Sequence, residues 1–440
     1  MKLTGWGRYA PVETELVTPG TEADLAATVA GGGVIARGNG RAYGDSAVGP
    51  RRTVGMLAFN HMLAFDEATG VLEAEAGVLL ADIIATFLPR GWFPLVTPGT
   101  KFVTLGGMIA ADVHGKNHHK DGSMASCVQW VDIMDAQGRV RRCSPFENAE
   151  LFSWIPGSMG LTGIILRAAI KLRKVDTGWI NQTTIPAPNL KAAMIIFEGA
   201  HDFTYSVAWI DCLQTGRGMG RSLVMLGDHA TPDQLSFREN RDPFALKAKG
   251  KKRLPFDAPD FVLSGPVVRA FNSLYYWKGS RNAGTNLVDW DSYFYPLDAI
   301  LEWNRAYGRR GFVQFQCAFP LESSEAGLTA LLRAIGKAGS GSFLAVLKRF
   351  GAQGGMFSFP MPGYTLALDF PANPANLALL KELDRITIDH GGRFYLAKDA
   401  RMSSDVLHES DTRVPDFIHK RAELGTDRAF QSAQSERLLL

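Results

Sequence analysis

The order of apolar and polar positions along the chain divides it into distinct elements. Thr21, with Asp24 three residues on, precedes Leu25, Ala26 and Val29 at helical spacing, and Gly31 to Gly33 stop the run before the apolar pair Val34 and Ile35. This predicts a capped helix followed by a short strand. The runs Leu63 to Phe65 and Val71 to Ala76, separated by the turn-rich Asp66 to Gly70, predict two joined strands. Leu79 to Leu88 repeats its apolar positions with helical period and stops at Pro89, which cannot supply a helical N–H. Val131 to Met134, followed by Asp135 to Gly138, predicts a hairpin, and Ile164 to Leu172 predicts a long alternating strand.

From about Val175 the pattern becomes β-rich. Tyr205 to Ile210, Phe312 to Cys317 and Tyr364 to Phe370 set polar side chains among apolar ones. With a period of two, Gln314 and Gln316 share one sheet face, as do Thr365 and Ala367. Such a sheet can floor a pocket. A helical segment is expected near Asp416 to Leu424. Mixed helices and strands with glycine loops between them suit an α+β fold.

Composition narrows the class. At 440 residues the chain can hold two domains, and 46% hydrophobic with 21% charged residues describes an ordinary globular protein. A formal charge of +3 gives no ground for a nucleic-acid partner. Cys127, Cys143, Cys212 and Cys317 form no CxxC pair, so neither a zinc site nor a disulfide framework is expected. The first residues lack the apolar core of a signal peptide and no apolar run is long enough to span a bilayer, so a cytoplasmic location with at most peripheral membrane contact is expected. Lys247, Lys249, Lys251, Lys252 and Arg253, followed by Leu254 to Phe256 and Phe261 to Leu263, suit either a solvated loop or a surface for anionic lipid headgroups.

Three glycine clusters carry the candidate chemistry. Gly38, Gly40 and Gly44 lie within seven residues behind the Val34 strand, flanked by Arg37 and Arg41, where backbone N–H groups can converge on an anion such as a diphosphate. A plain surface turn fits this loop equally well. The second cluster runs from Thr97 to Thr100 and from Val103 to His119, and the third from Gly157 to Ile164. None has the Walker A or the GxGxxG spacing.

Together the three clusters resemble the flavin-binding domain of the vanillyl-alcohol oxidase and p-cresol methylhydroxylase family. Arg37 to Asp45, His114 to His119, Glu302 to Gly308 and Ala397 to Arg401 narrow the resemblance to the flavoprotein subunits of decaprenylphosphoryl-β-D-ribose 2′-epimerases, over nearly the whole chain. The resemblance implies an FAD-binding domain over residues 1–175, a substrate domain over 176–392, and a segment over 393–440 that returns to the flavin domain. It implies that Ala36, Arg37, Gly38, Asn39, Gly40, Arg41, Ala42, Tyr43, Gly44, Asp45 and Ser46 wrap the FAD diphosphate. Gly99, Thr104, Leu105, Gly106 and Gly107, with His114, Gly115, Lys116 and Asn117, are expected along the isoalloxazine and ribityl parts, and Ile164 and Tyr395 at further flavin contacts. Some relatives bond the flavin covalently through a histidine at the position of Arg41, so noncovalent FAD is expected here.

The resemblance also assigns chemistry to single residues. Lys398 is expected to stabilise charge on a substrate oxygen, although a surface lysine is the default for its type. His114 is expected beside the flavin, with it or solvent taking the proton. His118 and His119 crowd near it, yet neighbours point apart and no carboxylate joins at ligand spacing, so no metal is expected. Gln314, Gln316, Lys348, Trp209, Thr365 and Ala367, with Tyr43, fall on substrate-pocket positions, each of which could equally be sheet packing. Mycobacterial members carry Asn-x-Cys where this chain has Thr365-Leu-Ala367, so a thiol facing the site is missing. The implied reaction is oxidation of the 2′-hydroxyl of a polyprenyl-phosphate-linked pentose, polyprenylphosphoryl-β-D-ribose, to a ketone. Quinone or O2 would reoxidise the flavin, and an NAD(P)H-dependent keto-sugar reductase would complete the epimerisation. A flavin oxidase or dehydrogenase of a soluble sugar, alditol or aldonolactone, and a non-catalytic flavin scaffold for a partner reductase, stand as alternatives.

Overall fold

The computed structural model describes residues 1–247 and 250–440, so Lys249 of the basic stretch lies outside the described residues. Helix α1 (Glu22–Ala30) starts where expected, its first turn held by Thr21, whose hydroxyl accepts from the Asp24 N–H at 3.1 Å. It covers a three-stranded parallel sheet of β1 (Glu15–Val17), β2 (Val34–Arg37) and β3 (Arg52–Gly55), in the order β1-β3-β2. Leu25 and Val29 pack there against Val34, Val54 and Phe430.

A second sheet is antiparallel. It comprises β4 (Met62–Asp66), β5 (Val71–Glu75), β6 (Trp92–Pro94), β7 (Val128–Met134), β8 (Val140–Cys143) and β9 (Ile164–Lys174), ordered β8-β7-β9-β5-β4 with β6 against the far end of β9. The hairpins predicted around Asp66 to Gly70 and Asp135 to Gly138 are present. Strand β9 departs from the expected alternation, being buried on both faces along most of its length. Ile164 and Leu166 face the core under α1, whereas Ile165, Ala168, Ile170 and Leu172 face a second core with Leu80, Ile83 and Ile84. A strand between two hydrophobic layers needs no polar face. Helix α2 (Leu105–Ala110) packs on this second core, and Thr104 caps it.

The third sheet has eight antiparallel strands: β10 (Trp179–Ala187), β11 (Tyr205–Ile210), β12 (Ser222–His229), β13 (Gly284–Asp289), β14 (Phe312–Pro320), β15 (Ala345–Phe350), β16 (Gly363–Pro371) and β17 (Arg393–Phe394). Their order is β13-β10-β12-β11-β15-β16-β14-β17. Helix α3 (Gly265–Arg281) lies against β10 and β12, while α4 (Leu321–Ala338) and α5 (Pro374–Asp389) cover the β14 end. Phe315, Cys317 and Phe319 of β14 face the largest core, with Leu328, Leu331 and Leu383. Gln314 and Gln316 therefore face the other way. The α+β class expected from the pattern holds.

The end of the chain comes back to the first sheet. Phe430 bridges Val34, the Gln431 N–H donates to the Val34 carbonyl at 2.9 Å, and helix α6 (Ala433–Leu438) follows. From α6, Arg437 reaches two carboxylates: Asp45 at 2.7 Å and Asp399 at 2.9 Å. Between those two segments the backbones touch, with the Tyr43 N–H on the Ala397 carbonyl at 3.0 Å. A Cβ on Gly44 would stand 1.8 Å from the Asp399 carbonyl oxygen, so only glycine permits this approach. All four cysteines are buried and free, and burial pushes the thiols of Cys127, Cys212 and Cys317 up to about 12. Among the described residues no helix is long and apolar enough to cross a membrane.

Removing Arg437 leaves two buried carboxylates without their shared cation, which for such pairs costs about 3–5 kcal/mol. Arg437→Met is expected to lower the unfolding free energy by an amount in that range, read as a lower urea midpoint at an unchanged denaturant slope. An unmoved midpoint would overturn this role for Arg437.

Candidate functional site

The loop after β2 is braced from outside and open within. The Arg37 guanidinium donates to the Thr4 carbonyl at 2.8 Å and to the Ala47 carbonyl at 3.3 Å, which corrects the expectation that it faces an anion. Asp45 is likewise taken up by Arg437, and Ser46 is buried. Asn39 donates to the Phe102 carbonyl at 2.8 Å. Arg41 stacks 4.0 Å above the Trp6 ring, and its Nε is buried without a partner. Among the described residues the backbone N–H groups of Asn39, Gly40, Arg41, Ala42 and Gly44 donate to nothing in the protein. Unpaired main-chain donors in succession make an anion-binding concavity. Gly38 sets its depth, since a Cβ there would stand 2.1 Å from Thr104 Oγ1.

The second glycine cluster lines the same cleft. Asp298 fixes its first loop by accepting from Thr100 Oγ1 at 2.7 Å and from the Lys101 N–H at 2.9 Å, and Gly99 opens onto free space. Thr97 Oγ1, His114 Nδ1 and Asn117 Oδ1 are buried with no partner. Buried polar atoms are almost always paired, so these three offer hydrogen bonds to a polar ligand. Free donors along Gly38 to Ala42 together with orphaned atoms at Thr97, His114 and Asn117 fit an elongated molecule with an anionic end and polar edges, as FAD is. At the other expected positions the side chains have partners within the protein. Thr104 spends its hydroxyl on the Gly107 N–H, Leu105 and Gly106 are buried at the start of α2, and a Cβ on Gly115 would meet Asn117 Oδ1 at 2.6 Å. Lys116 turns to the Tyr293 carbonyl and ring, with burial pushing its ammonium down to about 7. The Ile164 side chain is not brought to the cleft at all, lying in the core under α1.

Across from this cleft stands the polar face of the eight-stranded sheet. Trp209, Val346, Ala367 and Gln316 form one row through β11, β15, β16 and β14 by register, and Lys348 stands opposite Thr365 in the next. Gln314 pairs with Asp369 in the neighbouring row on the opposite side of the first. All the pocket residues expected from the sheet thus share one face. Thr365 is occupied there, donating to the Cys317 carbonyl at 2.8 Å. Gln316 spans both halves of the site, its Nε2 3.1 Å from His114 Nε2. An amide donor at that atom puts the imidazole proton on Nδ1. His114 is walled by Phe350, Phe359 and Tyr395, whose hydroxyl donates to the Ala111 carbonyl at 2.9 Å.

The electrostatics follow from two lysines, Lys348 and Lys398, in a dry space. Burial, with Lys348 adding to it, holds His114 well below the ordinary histidine range, so it is neutral. His118 is pushed down to about 3 by the same causes and accepts from the Gly351 N–H, while His119 bonds to the Phe203 carbonyl and Ser206. Neither has metal partners: no cluster of metal-ligating side chains occurs among the described residues. Burial lowers Lys348 to about 8. Lys398 sits with Nζ 3.7 Å from the Tyr43 ring centroid, and burial lowers its proton affinity while Asp369 opposes and Lys348 adds. Asp369, fully buried and bonded by Gln314 and Tyr307, is raised by burial. Sequence reasoning passed over Asp369. The signal was present, since Asp369 continues Thr365 and Ala367 at the same period of two.

Residues 14–144 match the FAD binding domain model. Over its full length the chain is 35% identical to decaprenylphosphoryl-β-D-ribose oxidase of Mycolicibacterium smegmatis, covering 97% of that protein. It is 32% identical over 82% of its length to an uncharacterized Streptomyces coelicolor protein, covering 98% of that chain. With bovine L-gulonolactone oxidase it shares 29% identity over 34% of its length and 33% of the relative's. The protein is an FAD-dependent oxidoreductase and belongs to the family of decaprenylphosphoryl-β-D-ribose oxidase.

Proposed function

We propose that the protein oxidises the 2′-hydroxyl of a polyprenylphosphoryl-β-D-ribose to the 2′-ketone. The observation that carries this reading is the full-length likeness to a decaprenylphosphoryl-β-D-ribose oxidase, sheet and cleft alike. Likeness to gulonolactone oxidase stops at a third of the chain and does not favour a soluble substrate. In this reading residues 1–175 and 393–440 hold the cofactor and 176–392 the substrate. FAD, when bound, supplies the hydride acceptor.

The protein's own groups handle the proton and the sugar. Lys398, its proton affinity weakened by burial, takes the hydroxyl proton and then stands as an ammonium beside the oxygen. Asp369 keeps that ammonium from being too weakly held. Neutral His114 is a poor base and instead offers Nδ1–H to a cofactor or substrate oxygen. Gln314, Gln316, Lys348 and Trp209 grip the sugar phosphate from the sheet side, and Ala367 leaves a wall without a thiol. The 2′-keto product calls for an NAD(P)H-dependent keto-sugar reductase, and a quinone or O2 for reoxidation. Arg41 in place of a histidine makes the FAD noncovalent, and a lipid-linked substrate places the protein at the inner face of the membrane as a peripheral visitor.

Acid precipitation of the yellow protein is expected to leave the flavin in the supernatant; colour in the pellet would mean a covalent bond. Anaerobic bleaching is expected with the lipid-linked pentose and not with free pentoses, and Lys398→Met is expected to slow it at least about a thousandfold, as for loss of a positioned acid–base group. Bleaching by free pentoses at a similar rate would sink the lipid-linked reading. The bleaching rate is expected to rise with pH and level off below the ordinary lysine range, because neutral Lys398 is the reactive form. Asp369→Asn removes a charge that favours the ammonium, so its midpoint shifts to lower pH; an upward shift would exclude this pairing.

A further inference from the structure

Helix α3 is amphipathic the wrong way round for a solvated helix. Its inner face carries Val268, Asn272 and Gly279: Asn272 donates to Asp211 at 2.9 Å, and a Cβ on Gly279 would meet Leu223 at 2.1 Å. Val267, Phe271, Leu274 and Trp277, at helical spacing on the outer side, are 43%, 44%, 61% and 53% exposed. Phe256, Phe261 and Val262, shortly before α3 in the chain, are exposed as well, at 66%, 69% and 37%. Large apolar side chains exposed in such number mark an interaction site.

Charge selects the occupant. The stretch from Ala245 to Arg281 carries eight lysines and arginines against two aspartates, and α3 itself has Arg269, Lys278 and Arg281 with no acid. One of the aspartates, Asp257, is already paired with Arg8 and Arg305. In a symmetric pairing of two copies these cations would face one another, which disfavours self-association. Apolar side chains rimmed by cations suit the headgroup layer of an anionic bilayer.

The geometry points to the outer face of α3, with Phe256, Phe261 and Val262, as the surface that docks the protein on an anionic membrane leaflet. This rests on the proposed lipid-linked substrate for its purpose, though not for its physics. The face also leads inward. Tyr275 of α3 packs on Trp209 of the polar sheet face at 4.7 Å between ring centroids, and Phe271 meets Phe343, which stacks on Tyr307, the partner of Asp369. Aromatic rings thus connect that face of α3 to the polar face of the sheet.

The test uses the FAD-loaded protein and extruded vesicles of phosphatidylcholine, with or without phosphatidylglycerol, separated by sedimentation. The wild type is expected to pellet with the anionic vesicles, less so in high salt. The double variant Leu274→Glu, Trp277→Glu loses burial of two large apolar groups and is expected to reduce the bound fraction at least about tenfold, with its flavin spectrum and melting temperature unchanged. Arg269→Glu with Lys278→Glu is expected to remove the preference for phosphatidylglycerol. Wild type that stays in the supernatant, variants that pellet as it does, or a wild-type dimer that the Leu274 and Trp277 changes turn into a monomer, would each overturn the inference. Protein that docks yet is not bleached by the lipid-linked pentose would overturn the proposed substrate and leave the docking surface standing.

Discussion

The contact on which the site's shape depends is a single guanidinium between two carboxylates. Arg437 joins Asp45, in the loop after β2, to Asp399, next to Lys398. Asp399 is held below the ordinary carboxylate range, with the nearby guanidinium groups of Arg437 and Arg401 outweighing its burial. The shared cation lets both segments lie close enough for Gly44 to touch the Asp399 backbone. The open nest of N–H groups and the lysine opposite it are thereby set at one distance.

Around that clamp the protein gathers positive charge where water is scarce. Lys348 stands on the polar sheet face, Lys398 beside Tyr43 and Arg41 in the loop after β2; burial costs each of them part of its proton affinity. Such desolvation would be offset by an anionic ligand, which brings the compensating charge. The same scarcity of water explains why His114 is neutral and its bond to Gln316 informative. With one ring nitrogen accepting from the sheet, the other is left as a donor toward the cleft.

Much of the fold could be read from the chain because the relevant interactions are local. Tyr205 to Ile210 and Phe312 to Cys317 announce their strands through a period of two and β-branched or aromatic residues, and Thr21 announces α1 by its cap. Gln314 and Gln316 reveal the pocket face through the same periodicity. What escaped depends on long-range partners. Arg37 beside a glycine loop reads as an anion ligand, yet two carbonyls claim it first. Ile164 sits where the family resemblance puts a flavin contact, but its side chain turns under α1. Helix α3 leaves little trace in the pattern because its large apolar residues lie outside and its buried face holds Asn272 and Gly279, and Asp369 gains its meaning only once β14 and β16 lie side by side.

The clamp also orders events in time. Asp45 and Arg437 are 392 residues apart, so at ordinary ribosomal speeds of about 5–20 residues per second the cofactor loop emerges roughly 20–80 s before the arginine that will seat it. During that interval the first sheet also lacks its contact with Phe430, and closure of so long a loop is the slow kind of folding step. The loop after β2 therefore reaches its final shape only once the last residues of the polypeptide have been made.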